Sequence, residues 1–266
     1  FLLSPVTVRP SETWTAPVAA WPDSSQYHCR RLSRLFTGDD DFWSLVFSHL
    51  ILNHAERQVF ADLGKSNQRQ VQWLMGRLAA KDAVRTILKQ KYNMEAGPAD
   101  VEIAPDEYGC PVATGSWADR VEGPVRLSLS HTNGMAAAMA GQPGNGLGIG
   151  IDVECLDPAR EGIASIAMSP EENTLLQSTL TGADPEWLLR VWCAKEALSK
   201  ACGCGLLGRP KDLVVKKLEP ETGAISLEIS GAFVRKFPAL EKTTARVHTL
   251  RQDNIIVASA MVNKGE

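Results

Sequence analysis

Leu147-Gly-Ile-Gly-Ile-Asp-Val-Glu154 alternates an apolar residue with a glycine or an acid at every step. A period of two marks a strand with one face against a core, and it sends the side chains of Asp152 and Glu154 to the same face. Glycines recur from Gly144 to Gly150, but the stretch lacks the Gly-x-Gly-x-x-Gly frame and runs along a strand rather than into a helix, which excludes a dinucleotide-binding turn.

Downstream, Pro170 with Glu171 and Glu172 opens a helix, and a longer one runs from about Asp184 to Cys202, stopped by Gly203 and Gly205. Strand-like runs come next at Leu213 to Lys217, Ile225 to Ile229, and Thr244 to Val262 with a turn near Asp253-Asn254. Upstream, Gly134 to Gly141, Val125 to Ser130 and Val101 to Ala104 read as strands, the last ending in a turn at Asp106 to Gly109. Before them, Val71, Leu74, Met75, Leu78 and Leu88 recur at helical spacing from Ser66 to about Tyr92, with Ser66 or Asn67 as the cap.

Helices and then strands, twice over and without strict βαβ alternation, predict an α+β chain. The expected architecture is two similar lobes in a pseudo-twofold arrangement, each a small antiparallel sheet packed with helices. Residues 46–145 form the first lobe and residues 146–266 the second. Residues 1–45, rich in Pro, Ser and Trp and starting at Phe1, read as an N-terminal extension or linker remnant, and suggest a domain cut from a longer polypeptide.

At 266 residues and 44% hydrophobic content, the chain can bury one sizeable core or two small ones. Its formal net charge of −3 gives no overall attraction to nucleic acid or an anionic membrane, so an anionic ligand must be met by local basic residues. No apolar run approaches a membrane span, and the six scattered cysteines read as reduced thiols, so a cytoplasmic protein is expected.

One such basic group is the column Arg77, Lys81 and Arg85, at i, i+4 and i+8 of the first long helix, which could equally be a solvated face. Two acids on one strand, Asp152 and Glu154, are a weak signal alone. A third acid, Glu196, lies in Trp192-Cys-Ala-Lys-Glu-Ala-Leu-Ser-Lys200, stacked at i, i+4 and i+8 with Trp192 and Lys200 and adjacent to Lys195. Together the three acids would make an oxygen-only site of the kind that takes magnesium and completes its shell with substrate phosphates, which Lys195 and Lys200 could neutralise. Ser130 and His131 sit at a strand end, where a histidine can reach a phosphate oxygen or satisfy a nearby carbonyl.

The pair Gly148-Ile-Gly-Ile-Asp-Val-Glu154 and Trp192-Cys-Ala-Lys-Glu-Ala-Leu-Ser-Lys200 resembles the signature of the 4′-phosphopantetheinyl transferases of the Sfp type. Gly76-Arg-Leu-Ala-Ala-Lys81, Gly109-Cys-Pro111 and Ser128-Leu-Ser-His131 agree with it in order, and the likeness extends roughly from Leu50 to Val262. Cys110 departs from it, standing where family members often carry a basic residue.

The resemblance implies transfer of 4′-phosphopantetheine from coenzyme A to a serine of an apo acyl or peptidyl carrier protein, with release of 3′,5′-ADP. It implies that Asp152, Glu154 and Glu196 hold Mg2+, with Mn2+ as an alternative, and that Glu196 or a water it holds is the base. Lys200 would meet the phosphates beside Lys195, while Ser130 and His131 hold the 3′-phosphate with Arg77 and Lys81. A monomer is expected because both lobes lie in one chain, and an integrated domain of a polyketide or fatty-acid synthase would suit the Pro-rich start. Two other activities share the parts: a magnesium-dependent nucleotide pyrophosphohydrolase, and a catalytically inactive carrier-docking module.

Overall fold

The computed structural model describes residues 11–14, 27–33, 41–64, 67–132, 134–142, 147–156, 166–180, 184–206 and 209–263. These fall into two compact units, one holding described residues of 11–14, 27–107 and 111–142, the other 108–110 and those from 147 onward. The cap Ser66, Trp21, Gly144 to Gly146 and the loop around Pro158 lie outside the described residues.

The first unit carries β1 (Glu12–Thr13), β2 (Tyr27–Ser33), α1 (Asp41–Ile51), α2 (His54–Asp62) and α3 (Asn67–Tyr92). After α3 come β3 (Glu102–Pro105), β4 (Pro111–Thr114), β5 (Arg126–Thr132) and β6 (Met135–Gly141). The six strands form one antiparallel sheet in the order β1-β2-β6-β5-β4-β3. Small Ala136, Ala138 and Ala140 on β6 let α3 lie close on the sheet, where they share a core with Leu74, Ala80, Val84, Leu88 and Leu127.

The second unit carries β7 (Leu147–Cys155), α4 (Pro170–Leu180), α5 (Pro185–Cys202), β8 (Leu213–Glu219), β9 (Ala224–Ile229), α6 (Gly231–Lys236), β10 (Thr244–Gln252) and β11 (Ile255–Asn263). Its five-stranded antiparallel sheet has the order β7-β11-β10-β9-β8. Asp184 caps α5 by accepting the Glu186 N–H at 2.8 Å, Pro185 takes the first turn, and Gly203 ends the helix at φ 79°. Val191, Ala194, Ala197, Leu198 and Ala201 of α5 bury against Ile256, Ala258 and Ala260 of β11.

The two sheets repeat one plan. A strand precedes the helices, four strands come after the long helix, and the last of the four returns to pair with the first strand: β2-β6-β5-β4-β3 matches β7-β11-β10-β9-β8. β2 lies inside the stretch set apart in the sequence as an extension, yet it pairs with β6 from Tyr27↔Gly141 to Ser33↔Met135 and is integral to the first sheet. Among the described residues, no helix is long and apolar enough to cross a membrane.

Candidate active site

The second unit brings three acids and a lysine together where α5 crosses β7. Gly150 lies where α5 crosses β7, and a Cβ there would overlap the Ala197 carbonyl oxygen and backbone of Ala201. That close seat puts the α5 side of β7, which alternation gives to Gly148, Gly150, Asp152 and Glu154, directly beneath the turn bearing Glu196 and Lys200. The Lys200 ammonium donates to Asp152 Oδ1 at 2.8 Å and to the Ile151 carbonyl at 3.1 Å.

Glu196 is half-buried, and burial with the neighbouring Asp152 carboxylate pushes its pKa up to about 6, Lys200 opposing and Glu154 adding to the rise. Cys193, one helical turn earlier and fully buried, lies beside Asp152; burial and the carboxylates push its thiol well above the ordinary range. The sequence reading missed this contact. Its signal was the i, i+3 spacing of Cys193 and Glu196 on α5, which no local pattern ties to β7.

Among the described residues, no three His, Cys, Asp or Glu side chains are already gathered as metal ligands. Asp152 is instead engaged by Lys200. The donor set nonetheless fits a hard divalent cation, since all three acids offer oxygen only and Glu196 registers the charge of both others.

Lys195 and Lys81, both expected at phosphates, are placed elsewhere. Each is fully buried in an ion pair, so neither ammonium can reach a ligand. Lys195 donates to Glu172 at 2.8 Å and to the Ala167 carbonyl at 2.6 Å. Glu172 also accepts the N–H of Val215 on β8 at 2.6 Å and that of Ser169 at 2.7 Å, while its own N–H bonds Ser169 Oγ at 3.3 Å. Lys81 repeats the wiring in the first unit: it donates to Glu56 at 2.5 Å and to the Pro98 carbonyl at 3.0 Å. Glu56 accepts the N–H of Ile103 on β3 at 3.0 Å and closes a capping box with Asn53. Burial lowers the pKa of both lysines, and the paired glutamate opposes the fall in each.

The rest of the basic column is equally structural at Arg85, which bonds the Ala96 carbonyl and Asp82. Arg77 differs. Its guanidinium lies 4.5 Å from the Trp73 ring centroid, with a buried Nε that has no hydrogen-bond partner among the described residues. Ser130 and His131 occupy opposite faces of β5: His131, exposed, shares the side of Leu127 and Leu129 that meets α3, while Ser130 is buried on the side of Ser128 and Thr132. The two side chains, expected together at one phosphate, therefore lie on opposite faces of the sheet, His131 on the α3 side and Ser130 on the other.

The profile of the 4′-phosphopantetheinyl transferase superfamily matches residues 148–255, which hold the three acids and Lys200. A holo-[acyl-carrier-protein] synthase of Geobacillus kaustophilus is 37% identical over 96 residues, covering 36% of this chain and 70% of that one. The chain belongs to the 4′-phosphopantetheinyl transferase superfamily. Two further members of the superfamily match a longer stretch. An L-aminoadipate-semialdehyde dehydrogenase-phosphopantetheinyl transferase of Schizosaccharomyces pombe is 30% identical over 172 residues, 59% of this chain and 65% of the relative. A 4′-phosphopantetheinyl transferase of Bacillus subtilis is 27% identical over 164 residues, 60% of this chain and 66% of the relative. The chain thus spans slightly under two thirds of these two transferases.

Proposed function

We propose that this chain transfers the 4′-phosphopantetheine group of coenzyme A to a serine of an apo acyl or peptidyl carrier protein, releasing 3′,5′-ADP. The observation that carries the reading is the placing of Glu196 and Lys200 of α5 over Asp152 and Glu154 of β7, with the Lys200 ammonium 2.8 Å from Asp152 Oδ1. Burial and the Asp152 carboxylate make Glu196 more basic than an ordinary glutamate, the direction a general base needs.

The serine Oγ bonds to the phosphorus bearing the pantetheine arm, and the bond from that phosphorus to the oxygen shared with the nucleotide phosphate breaks. Glu196 takes the hydroxyl proton, and the electron pair leaves with 3′,5′-ADP. Lys200 shifts its ammonium from Asp152 towards the charge developing on the leaving diphosphate, where electrostatic stabilisation is the main catalytic need. Asp152, Glu154 and Glu196 would hold a magnesium ion, with manganese as a substitute, and the ion would supply charge neutralisation at the diphosphate. Arg77, a half-buried cation with an unpaired N–H, and His131 are assigned to the 3′-phosphate. The enzyme is assigned to the cytoplasm as a monomer, in keeping with six cysteines that form no disulfide.

Intact-mass spectrometry of apo carrier proteins incubated with the chain, coenzyme A and magnesium tests the proposal. A gain of one phosphopantetheine group that EDTA abolishes is expected. No gain on any of several carriers would refute it.

A further inference from the structure

Both units contain the same buried device: a lysine on the long helix, a glutamate at the start of the preceding helix, and a strand N–H bonded to that glutamate. The copies differ at the next residue of the helix. Lys81 precedes Asp82, which is taken up by Arg85 and Ser11, whereas Lys195 precedes Glu196. We infer that Lys195 and Glu172 are positioning residues for the transfer reaction, fixing the rotation of α5 about its axis and so the location of Glu196. The inference rests on the transferase reading proposed above.

α5 is held on β7 by backbone contact at Gly150, which sets its distance from the sheet but leaves rotation to side chains. Lys195 is a fully buried constraint of this kind, because its ammonium is tied at 2.6 Å and 2.8 Å to a carbonyl before α4 and to a carboxylate that is itself bonded to β8. A helical side chain ends about 5–6 Å from the axis, so a rotation of about 10° moves it by about 1 Å. A displacement of that size costs about 100-fold in rate when it affects a reacting group.

The test compares two isosteric variants, Glu172→Gln and Glu56→Gln, with the double variant Glu172→Gln/Lys195→Met, which leaves no uncompensated buried charge. Each is assayed for carrier modification at 10 °C below its own melting temperature, with kcat and the KM for coenzyme A determined separately. The two single variants should lose similar melting temperature, since the wiring is the same. Only Glu172→Gln and the double variant should lose kcat, by about 30- to 100-fold, with the KM for coenzyme A within about twofold of wild type. A raised KM with kcat retained would instead make Lys195 a phosphate ligand and overturn the inference. So would unchanged kcat in the double variant, or an equal loss of kcat in Glu56→Gln. Wild-type chain that modifies no carrier would count against the transferase reading itself, a separate result.

Discussion

Gly150→Ala adds one methyl group at the seat of α5. The new Cβ would lie 2.7 Å from the Ala201 nitrogen and 2.9 Å from the Ala197 carbonyl carbon, where ordinary contact starts at 3.4 Å. The obstructing atoms are helix backbone and cannot rotate aside, and the Ala197 carbonyl oxygen lies nearer still, so α5 must lift from β7 by more than the 0.7 Å shortfall at the Ala201 nitrogen. Overpacking of this kind costs about 1–3 kcal/mol, which for a domain of this size lowers the melting temperature by about 2–12 °C. Glu196 adjoins Ala197 and moves with it relative to Asp152, so kcat should fall roughly 10- to 100-fold. Thermal denaturation and a carrier-modification assay read the two effects. A melting temperature within about 1 °C of wild type together with kcat within about threefold would refute the close-seat argument.

Glu196→Gln should abolish carrier modification while leaving the circular dichroism spectrum unchanged, and near-normal turnover would remove Glu196 as the base. Because burial raises the folded-state pKa of Glu196 to about 6, above its ordinary 4.5, the native state holds a proton between those values that the unfolded chain has released. Glu196 therefore burdens the metal-free fold above pH 6, and the burden disappears as pH falls through 4.5. In chelator, Glu196→Gln should melt higher than wild type at pH 8, with the difference shrinking by pH 5; a constant difference would contradict the raised pKa. Arg77→Met should raise the KM for coenzyme A at least about tenfold with little change in kcat, and should leave the KM for dephospho-coenzyme A unaffected. Equal effects on both substrates would remove Arg77 from the 3′-phosphate.

The strands and long helices that place the acids were readable because each has a local signature: alternation in β7 and β5, helical spacing in α3, and a cap, Pro185 and Gly203 around α5. β2 was not, since Tyr27-His-Cys-Arg-Arg-Leu-Ser33 mixes polar and apolar residues, and its partner β6 lies far along the chain. The first turn of α1 was assigned to the extension because Phe42 and Trp43 were taken together with the Pro-rich start. Lys81 and Lys195 went astray for another reason. Fully buried lysines are rare, and helical spacing cannot reveal a partner on another element. The clue lay elsewhere in the sequence, in Asn53-x-x-Glu56 and Ser169-x-x-Glu172, both of capping-box form and both supplying the glutamate. Lys195, read from the sequence as a phosphate neutraliser beside Glu196, is thus a residue that holds the fold through Glu172.

The paired buried lysines also equip the molecule for a different use. An amine-reactive reagent cannot reach an ammonium with no exposed surface, so Lys81 and Lys195 stay unmodified while the native packing holds. Each becomes labelled only when its own surroundings open, at a rate set by the free energy of that opening. Peptide mapping after a labelling pulse therefore reads the local integrity of each unit from one residue, with no probe introduced.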